Sequence, residues 1–304
     1  MTSKNTILLT GATGFLGSHL CTYLLKNTSY NLLLLKRSFS NTARLQGVLS
    51  SARVKTFDVD THPLTELDWS DVQCVVHCAT EYGRKGTSCH QILASNLMFP
   101  VQLVEESIAH GVESFINTDS YFNKEHFSYS HLLHYSLSKK SLGLWLNYFS
   151  SQIKVINLVL EHIFGPDDNP DKFVEQMIRQ IAVTPQAEVN LSAGTQKRDF
   201  IYVEDVCQIY AAAIEYARKN TFTFEQFDVG SGQMYSIKEF VTLIKEISAS
   251  PTVLNFGALP TRKDEIAASF ADIGSLRRLI PAFTPRPLRE ALQTIITYYR
   301  GKNA

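Results

Sequence analysis

An excess of charge of one sign, ligand-spaced cysteines and long apolar runs are all missing from this sequence, and each absence removes a class of function. Lys and Arg together number 29, as do Asp and Glu. Without a net basic field, no nucleic acid and no anionic membrane surface is expected as a partner. No uninterrupted apolar segment reaches the roughly 18 residues that a membrane-crossing helix needs. The first residues, MTSKNT, enter an apolar run without a signal-peptide pattern. A soluble, cytoplasmic protein is expected. The five cysteines, Cys21, Cys74, Cys78, Cys89 and Cys207, form no Cys-x-x-Cys pair and lie mostly in apolar surroundings, so they read as buried free thiols. His126, His131 and His134 share one segment, but no carboxylate or second ligand pair accompanies them, and no metal is expected.

What is present is a rhythm. A chain of 304 residues, 44% of them hydrophobic, can bury a sizeable core as one large or two smaller units. Strand-like runs at Thr6–Leu9, Asn31–Leu35, Val54–Phe57, Cys74–Cys78, Ser114–Asn117 and Lys154–Leu158 alternate with helix-like stretches such as Gly14–Lys26, Pro100–His110 and Tyr135–Phe149. That alternation predicts an α/β fold, a Rossmann-like doubly wound parallel sheet. After Leu160 the rhythm breaks at the turn cluster Gly165-Pro166-Asp167-Asp168-Asn169-Pro170. Residues 1–160 are read as a dinucleotide-binding domain, rejoined by 206–229 through the helix Val206–Ala217 and the strand Gln226–Val229. Residues 161–205 and 230–304, punctuated by Pro260, Pro281, Pro285 and Pro287, are read as a smaller substrate lobe.

The segment LLTGATGFLGSHL places Gly11, Gly14 and Gly17 at intervals of three between the first strand and the first helix. In such a turn Gly11 permits a tight bend, Gly14 lets backbone approach a pyrophosphate, and Gly17 allows close helix–strand packing. Thr13, Phe15 and Leu16 lie along the same turn, where N–H groups at a helix start can bind phosphate. The second strand ends in Lys36-Arg37-Ser38. An acidic residue there accepts hydrogen bonds from the adenine ribose of NAD; a basic pair would instead bind a 2′-phosphate, so NADP(H) is the expected cofactor. Two solvated cations at a strand end would look the same.

Tyr135 and Lys139 stand one helical turn apart and project from one face. A cation beside a phenol is expected to lower its pKa and make it an acid–base near neutral pH. The glycine turn, the strand end Phe115-Ile116-Asn117-Thr118-Asp119-Ser120 and this pair together resemble the extended short-chain dehydrogenase/reductases that act on nucleotide sugars. The resemblance implies Thr118, Tyr135 and Lys139 as catalytic residues. It puts Asp58 and Val59 near the adenine, Cys78, Ala79 and Thr80 near the cofactor's ribose, and Asn96 at a helix position of the cofactor site. Thr80, Thr118, Asp119 and Ser120 would line the sugar. Arg198, within Arg198-Asp199-Phe200-Ile201-Tyr202-Val203-Glu204-Asp205-Val206, and Arg262 would meet the diphosphate of the nucleotide-sugar substrate. Tyr82 and Arg84, in the loop after the fourth strand, are either sugar contacts or ordinary loop residues. A homodimer through the helices Pro100–His110 and Tyr135–Phe149 is also implied.

Within this family the residue two after the catalytic threonine discriminates. A 4,6-dehydratase carries an Asp-Glu pair after the threonine; here Asp119 is followed by Ser120, and a serine hydroxyl is a poor base for a C5 proton. Lys36-Arg37 points to net reduction by NADPH. Several short segments resemble the branch of 4-ketoreductases that make CDP-abequose and CDP-paratose in bacterial O-antigen pathways. The resemblance then implies reduction of the C4 ketone of a CDP-4-keto-3,6-dideoxyhexose. An epimerase retaining NAD, or a non-catalytic protein on the same fold, are the alternatives; the presence of both Tyr135 and Lys139 speaks against the second.

Overall fold

A computed structural model describes residues 4–83, 86–124 and 132–302; Arg84, His126 and His131 lie outside the described residues. Through the first half, strands and helices alternate as β1 (Thr6–Thr10), α1 (Phe15–Asn27), β2 (Asn31–Lys36), α2 (Gln46–Leu49), β3 (Val54–Asp58) and β4 (Val72–His77). They continue as α3 (Cys89–Leu93), α4 (Phe99–Ala109), β5 (Ser114–Ser120), α5 (Leu133–Phe149) and β6 (Lys154–Leu160). A π-helical turn, Ala94–Met98, joins α3 to α4. Beyond β6 come β7 (His162–Phe164), α6 (Phe173–Ile178), β8 (Glu188–Leu191), β9 (Lys197–Tyr202), α7 (Val203–Lys219) and β10 (Phe224–Val229). The chain closes with β11 (Met234–Ser236), α8 (Ile237–Ser248), β12 (Val253–Phe256), β13 (Ala268–Ser269) and α9 (Leu288–Lys302).

Seven parallel strands lie in the order β10-β6-β5-β4-β1-β2-β3. The chain winds one way from β1 to β3 and the other way from β4, so the reversal falls between β1 and β4, where such sheets open a crevice at their carboxyl ends. Helices cover both faces, which is why β1 and β2 read as unbroken apolar runs. Ile7, Leu9, Ile116 and Leu158 pack with α1 and α7, while Leu8, Val75, Phe115 and Val155 pack with α4 and α5. β5 runs three residues past its expected end, pairing with β6 as far as Ser120 against Leu160. Thr118, Asp119 and Ser120 are thereby fixed by a strand ladder rather than left in a loop.

A third core draws its residues from 164–202 and 237–299, with Phe164, Phe200, Phe240, Ile244, Leu292 and Ile296 buried together. Around it stand α6, α8, α9, a small sheet in which β9 pairs with β7, β11 and β13, and the β8–β12 pair. Among the described residues no helix is long and apolar enough to cross a membrane.

Candidate active site

The glycine turn shows why side chains are excluded from it. Gly11 has φ +71°, and a Cβ there would lie 2.6 Å from the nitrogen of Ala79 at the end of β4. A Cβ on Gly17 would lie 2.2 Å from the Gly11 carbonyl oxygen, so Gly17 clears the turn itself rather than the neighbouring strand. Gly14 is different: it is exposed, and a Cβ there would meet only the Gly11 oxygen, at 3.2 Å. The first turn of α1 has neither a side-chain cap nor an acidic residue. Its N–H groups are left for an anion, and Phe15 and Leu16 are buried behind them. These features fit a dinucleotide's pyrophosphate.

Beside the turn opens a cavity of about 540 Å³ whose lining includes Ala12, Thr13, Leu34, Lys36, Ser38, Ser40 and Thr42. Its size and hydroxyls suit an adenosine. The two cations expected to face a 2′-phosphate are already engaged. Lys36 Nζ lies 3.0 Å from an Asp58 carboxylate oxygen, which also accepts from Ser38 Oγ at 3.0 Å. Arg37 Nε meets Asp60 at 3.2 Å, and its guanidinium sits over the Phe39 ring. Asp60 also accepts from the Ser38 amide, and the Val59 amide donates to the Lys36 carbonyl. Hydrogen bonding from Lys36 holds the Asp58 carboxyl below its ordinary range. Sequence reading missed Asp60, Ser40 and Thr42; an acidic residue two positions beyond Asp58 was the available signal.

At the other end of the crevice Tyr135 and Lys139 are buried side by side on α5. Lys139 Nζ donates to the Thr118 carbonyl at 2.8 Å. The Tyr135 ring stacks on Tyr82 with centroids 4.9 Å apart. Burial, and then the neighbouring Tyr82, push the phenol well above its ordinary pKa, with a hydrogen bond to Ser120 opposing. This differs from the expectation that Lys139 makes the phenol acidic. The ammonium is aimed at a backbone carbonyl and is itself pushed down by burial, so desolvation governs both groups.

Thr118 Oγ1 lies 2.6 Å from the hydroxyl of Tyr210 on α7 and 3.3 Å from Cys78 Sγ. Asp119 is turned into the sheet: it accepts from the Ser120 amide at 2.8 Å, from Asn123 Nδ2 at 2.6 Å and from Asn157 Nδ2 at 3.0 Å. Burial nonetheless pushes its carboxyl up. Asn96, wholly buried in the π-helical turn, accepts from the Glu81 amide and donates to the Glu81 carbonyl and to Ser138 on α5. Thr80 Oγ1 reaches the Asn96 oxygen at 3.4 Å, and the Ala79 amide donates to Thr10. Asn96 therefore ties the loop after β4 to the helix that carries Tyr135.

Arg198 on β9 is buried, donating to the Ile266 and Lys197 carbonyls and pairing with Glu265. Arg262 is exposed on the loop before β13. Glu265, the partner of Arg198, follows Arg262 on that same loop. The neighbouring Asp199 accepts from Ser231, Gly232 and Ala271, which gives its segment a structural role in closing the lobe. His134 lies near Cys89, and among the described residues no three His, Cys, Asp or Glu side chains converge as a metal site.

A parallel sheet reversing beside a Gly-x-x-Gly-x-x-Gly turn, with a buried Tyr–Lys pair at the same crevice, defines a dinucleotide-binding protein of the extended short-chain dehydrogenase/reductase type. The chain belongs to the NAD dependent epimerase/dehydratase family, which it matches over residues 7–230. It is similar to the CDP-abequose synthase of Salmonella typhimurium, 30% identical over 91% of this chain and 92% of that protein. It is 25% identical to an uncharacterized UDP-glucose epimerase of Bacillus subtilis over 97% and 99% of the two chains. Among solved structures, the UDP-glucuronic acid 4-epimerase of Bacillus cereus, in complex with UDP-glucuronic acid and NAD, superposes with a TM-score of 0.83. That match has 25% identity and covers 98% of this chain and 99% of the other.

Proposed function

We propose that this chain reduces the C4 ketone of a nucleotide-linked deoxyhexulose with NADPH, a CDP-linked 4-keto-3,6-dideoxyhexose being the favoured substrate. The observation that carries the reading is the placement of Tyr135, buried one helical turn from Lys139, whose Nζ donates to the carbonyl of Thr118 at 2.8 Å. Tyr135 is buried, pushed well above its ordinary pKa by that burial, and hydrogen-bonded to a hydroxyl. A tyrosine phenol is protonated at neutral pH, and from this position it serves as a donor to a developing alkoxide. Ser120 supplies no base, and Asp119 is occupied by Asn123 and Asn157, so elimination of water is disfavoured. The bound dinucleotide would supply hydride to C4. Tyr135 protonates the C4 oxygen, Thr118 hydrogen-bonds the same oxygen, and Lys139 holds the ribose of the cofactor beside Tyr135.

Likeness to a CDP-abequose synthase along nearly the whole chain supports the CDP-linked deoxysugar and an O-antigen setting. The lobe of residues 161–205 and 230–304 would hold the nucleotide sugar, the exposed Arg262 facing its diphosphate and Arg198 joining it on exchanging Glu265 for the phosphate. Lys36 and Arg37, with the hydroxyls of Ser38, Ser40 and Thr42, favour NADPH drawn from the cytoplasmic pool. A homodimer is supported by the exposed Met98 before α4 and by exposed Leu133, Leu137, Leu144, Trp145 and Tyr148 on α5, an apolar face suited to a second copy. A second reading, a 4-epimerase retaining NAD, is favoured by the pairing of Lys36 and Arg37 with Asp58 and Asp60, which leaves that corner without net charge. Incubation of the protein with NADPH and 4-keto sugars carrying CDP, dTDP, UDP or GDP, followed by NMR of the product, tests the proposal. One NADPH consumed per sugar and a single C4-reduced product is expected. Tightly bound NAD and turnover without added reductant would establish the epimerase.

A further inference from the structure

Tyr210 lies on the buried face of α7, 0% exposed, among Val206, Ile209, Ala213 and Ile214. Packing there asks only for an aromatic ring; a phenylalanine would fill the same volume without a polar atom to satisfy. The hydroxyl instead ends 2.6 Å from Thr118 Oγ1, and a buried hydroxyl without a partner is costly. Thr118 in turn lies 3.3 Å from Cys78 Sγ, a weak acceptor. Three groups, each with one proton, therefore meet beneath the catalytic end. Burial pushes the Tyr210 phenol well above its ordinary range and the Cys78 thiol up to about 11, so both keep their protons at neutral pH.

The direction of these bonds decides what Thr118 can do. If Thr118 donated to Tyr210, its single proton would be spent inside the protein, and the phenol, the stronger acid, would be left donating to the Cys78 sulfur, with which it also hydrogen-bonds. If Tyr210 donates to Thr118, one lone pair of Oγ1 is occupied and the threonine proton points toward the sulfur. A carbonyl oxygen is a better acceptor than a thiol, so the proton can turn to arriving substrate at little cost. Donation from Tyr210 also makes the threonine a stronger donor.

We infer that Tyr210 is a positioning residue that holds Thr118 with its proton available to the C4 oxygen, Cys78 Sγ being the resting acceptor. The inference rests on the proposed C4 chemistry. It requires no new covalent step, only a change of hydrogen-bond acceptor by Thr118.

A double-mutant cycle on the full chain tests it. Tyr210→Phe should lower kcat about three- to tenfold, the effect of one hydrogen bond, with the KM of the sugar and the Kd of the cofactor unchanged. In a Thr118→Val background the same substitution should cost less than twofold, because the group it acts through is gone. A purely structural tyrosine would give equal losses in both backgrounds. Carbon-13 NMR of ring-labelled tyrosine in the ligand-free protein supplies a readout independent of turnover. The Cζ resonance absent from Tyr210→Phe should shift in Thr118→Val. Additive losses, an unchanged kcat in Tyr210→Phe, or a Tyr210 resonance blind to Thr118→Val would each overturn the inference. Failure of the unaltered protein to turn over any nucleotide sugar would overturn the functional reading instead, and the resonance would still decide the Tyr210 bond.

Discussion

The two ends of the crevice hold their polar side chains by opposite means. At the adenosine end Lys36 and Arg37 are partly exposed and each is matched by a carboxylate within 3.2 Å. At the catalytic end Tyr135 and Lys139 are buried, and Lys139 is met by a backbone carbonyl at 2.8 Å. Water and counter-charges set the electrostatics of the first end, and desolvation sets those of the second. Substitutions should accordingly act steeply at the buried end and gently, with sensitivity to salt, at the exposed one.

The steepest effect is expected from Tyr135→Phe, which removes the proposed proton donor while nearly preserving ring volume. Turnover should fall by about 10²–10⁴-fold, with dinucleotide affinity measured by fluorescence titration unchanged. Near-normal turnover would remove Tyr135 from the mechanism. The pH profile sharpens the contrast. In the proposed reduction the protonated phenol is the active form, and burial raises its pKa. The reduction rate should therefore stay flat through neutral pH and be lost only on the alkaline side, as pH rises through the folded-state value. A decline centred near neutrality would mean that Lys139 does hold the phenol low once ligands are bound.

A smaller effect is expected at the exposed end. Two charge-assisted contacts to a 2′-phosphate are worth about 1.5–3 kcal/mol each, and breaking the pairs with Asp58 and Asp60 offsets part of that. A preference for NADPH over NADH of about tenfold in kcat/KM should remain, and replacing Lys36 and Arg37 by alanine together should erase most of it. Equal use of both cofactors by the unaltered protein would remove the case for NADPH and strengthen the epimerase reading.

How much of this was legible in the sequence follows from how local each cause is. The glycine turn was readable because backbone clearance at Gly11 and Gly17 depends on residues within the turn and on one strand end. Strands β1, β2 and β4 were readable because burial on both faces leaves plain apolar runs, whereas the edge strand β3, VKTFD and partly exposed, was placed by the alternation around it. Tyr135 and Lys139 share a helix face, so spacing alone paired them. The third core was scarcely read, although α8 offered a usable signal: Ser236 and Glu239 form a capping box at its start. Tyr210 and Thr118 are 92 positions apart, and nothing near either residue announces the other. The burial of Arg198 against Glu265 and Ile266 has the same origin. Its segment reads as a signature, but its partners arrive from a distant loop.

The gentlest prediction bears most directly on the contrast between the two ends. Asp60 accepts from both Arg37 and the Ser38 amide, and side-chain exposures of 58% for Arg37 and 31% for Asp60 mark a solvated pair. Such a pair contributes about 0–1 kcal/mol, so its loss should leave stability nearly unchanged. In Asp60→Asn the amide oxygen can still accept from Ser38 while the negative charge is gone. Two consequences oppose each other: Arg37 loses a partner that orients it, and an incoming 2′-phosphate loses a like charge that repels it. The guanidinium also sits over Phe39 with 4.4 Å to the ring centroid, which limits the loss of orientation, so relief of repulsion should dominate. The KM for NADPH should fall about twofold at low salt, the KM for NADH should not move, and the difference should fade near 0.5 M salt, where screening acts within about 4 Å. A rise in the KM for NADPH would show instead that Asp60 presents Arg37 to the phosphate, making the exposed end as dependent on fixed geometry as the buried one.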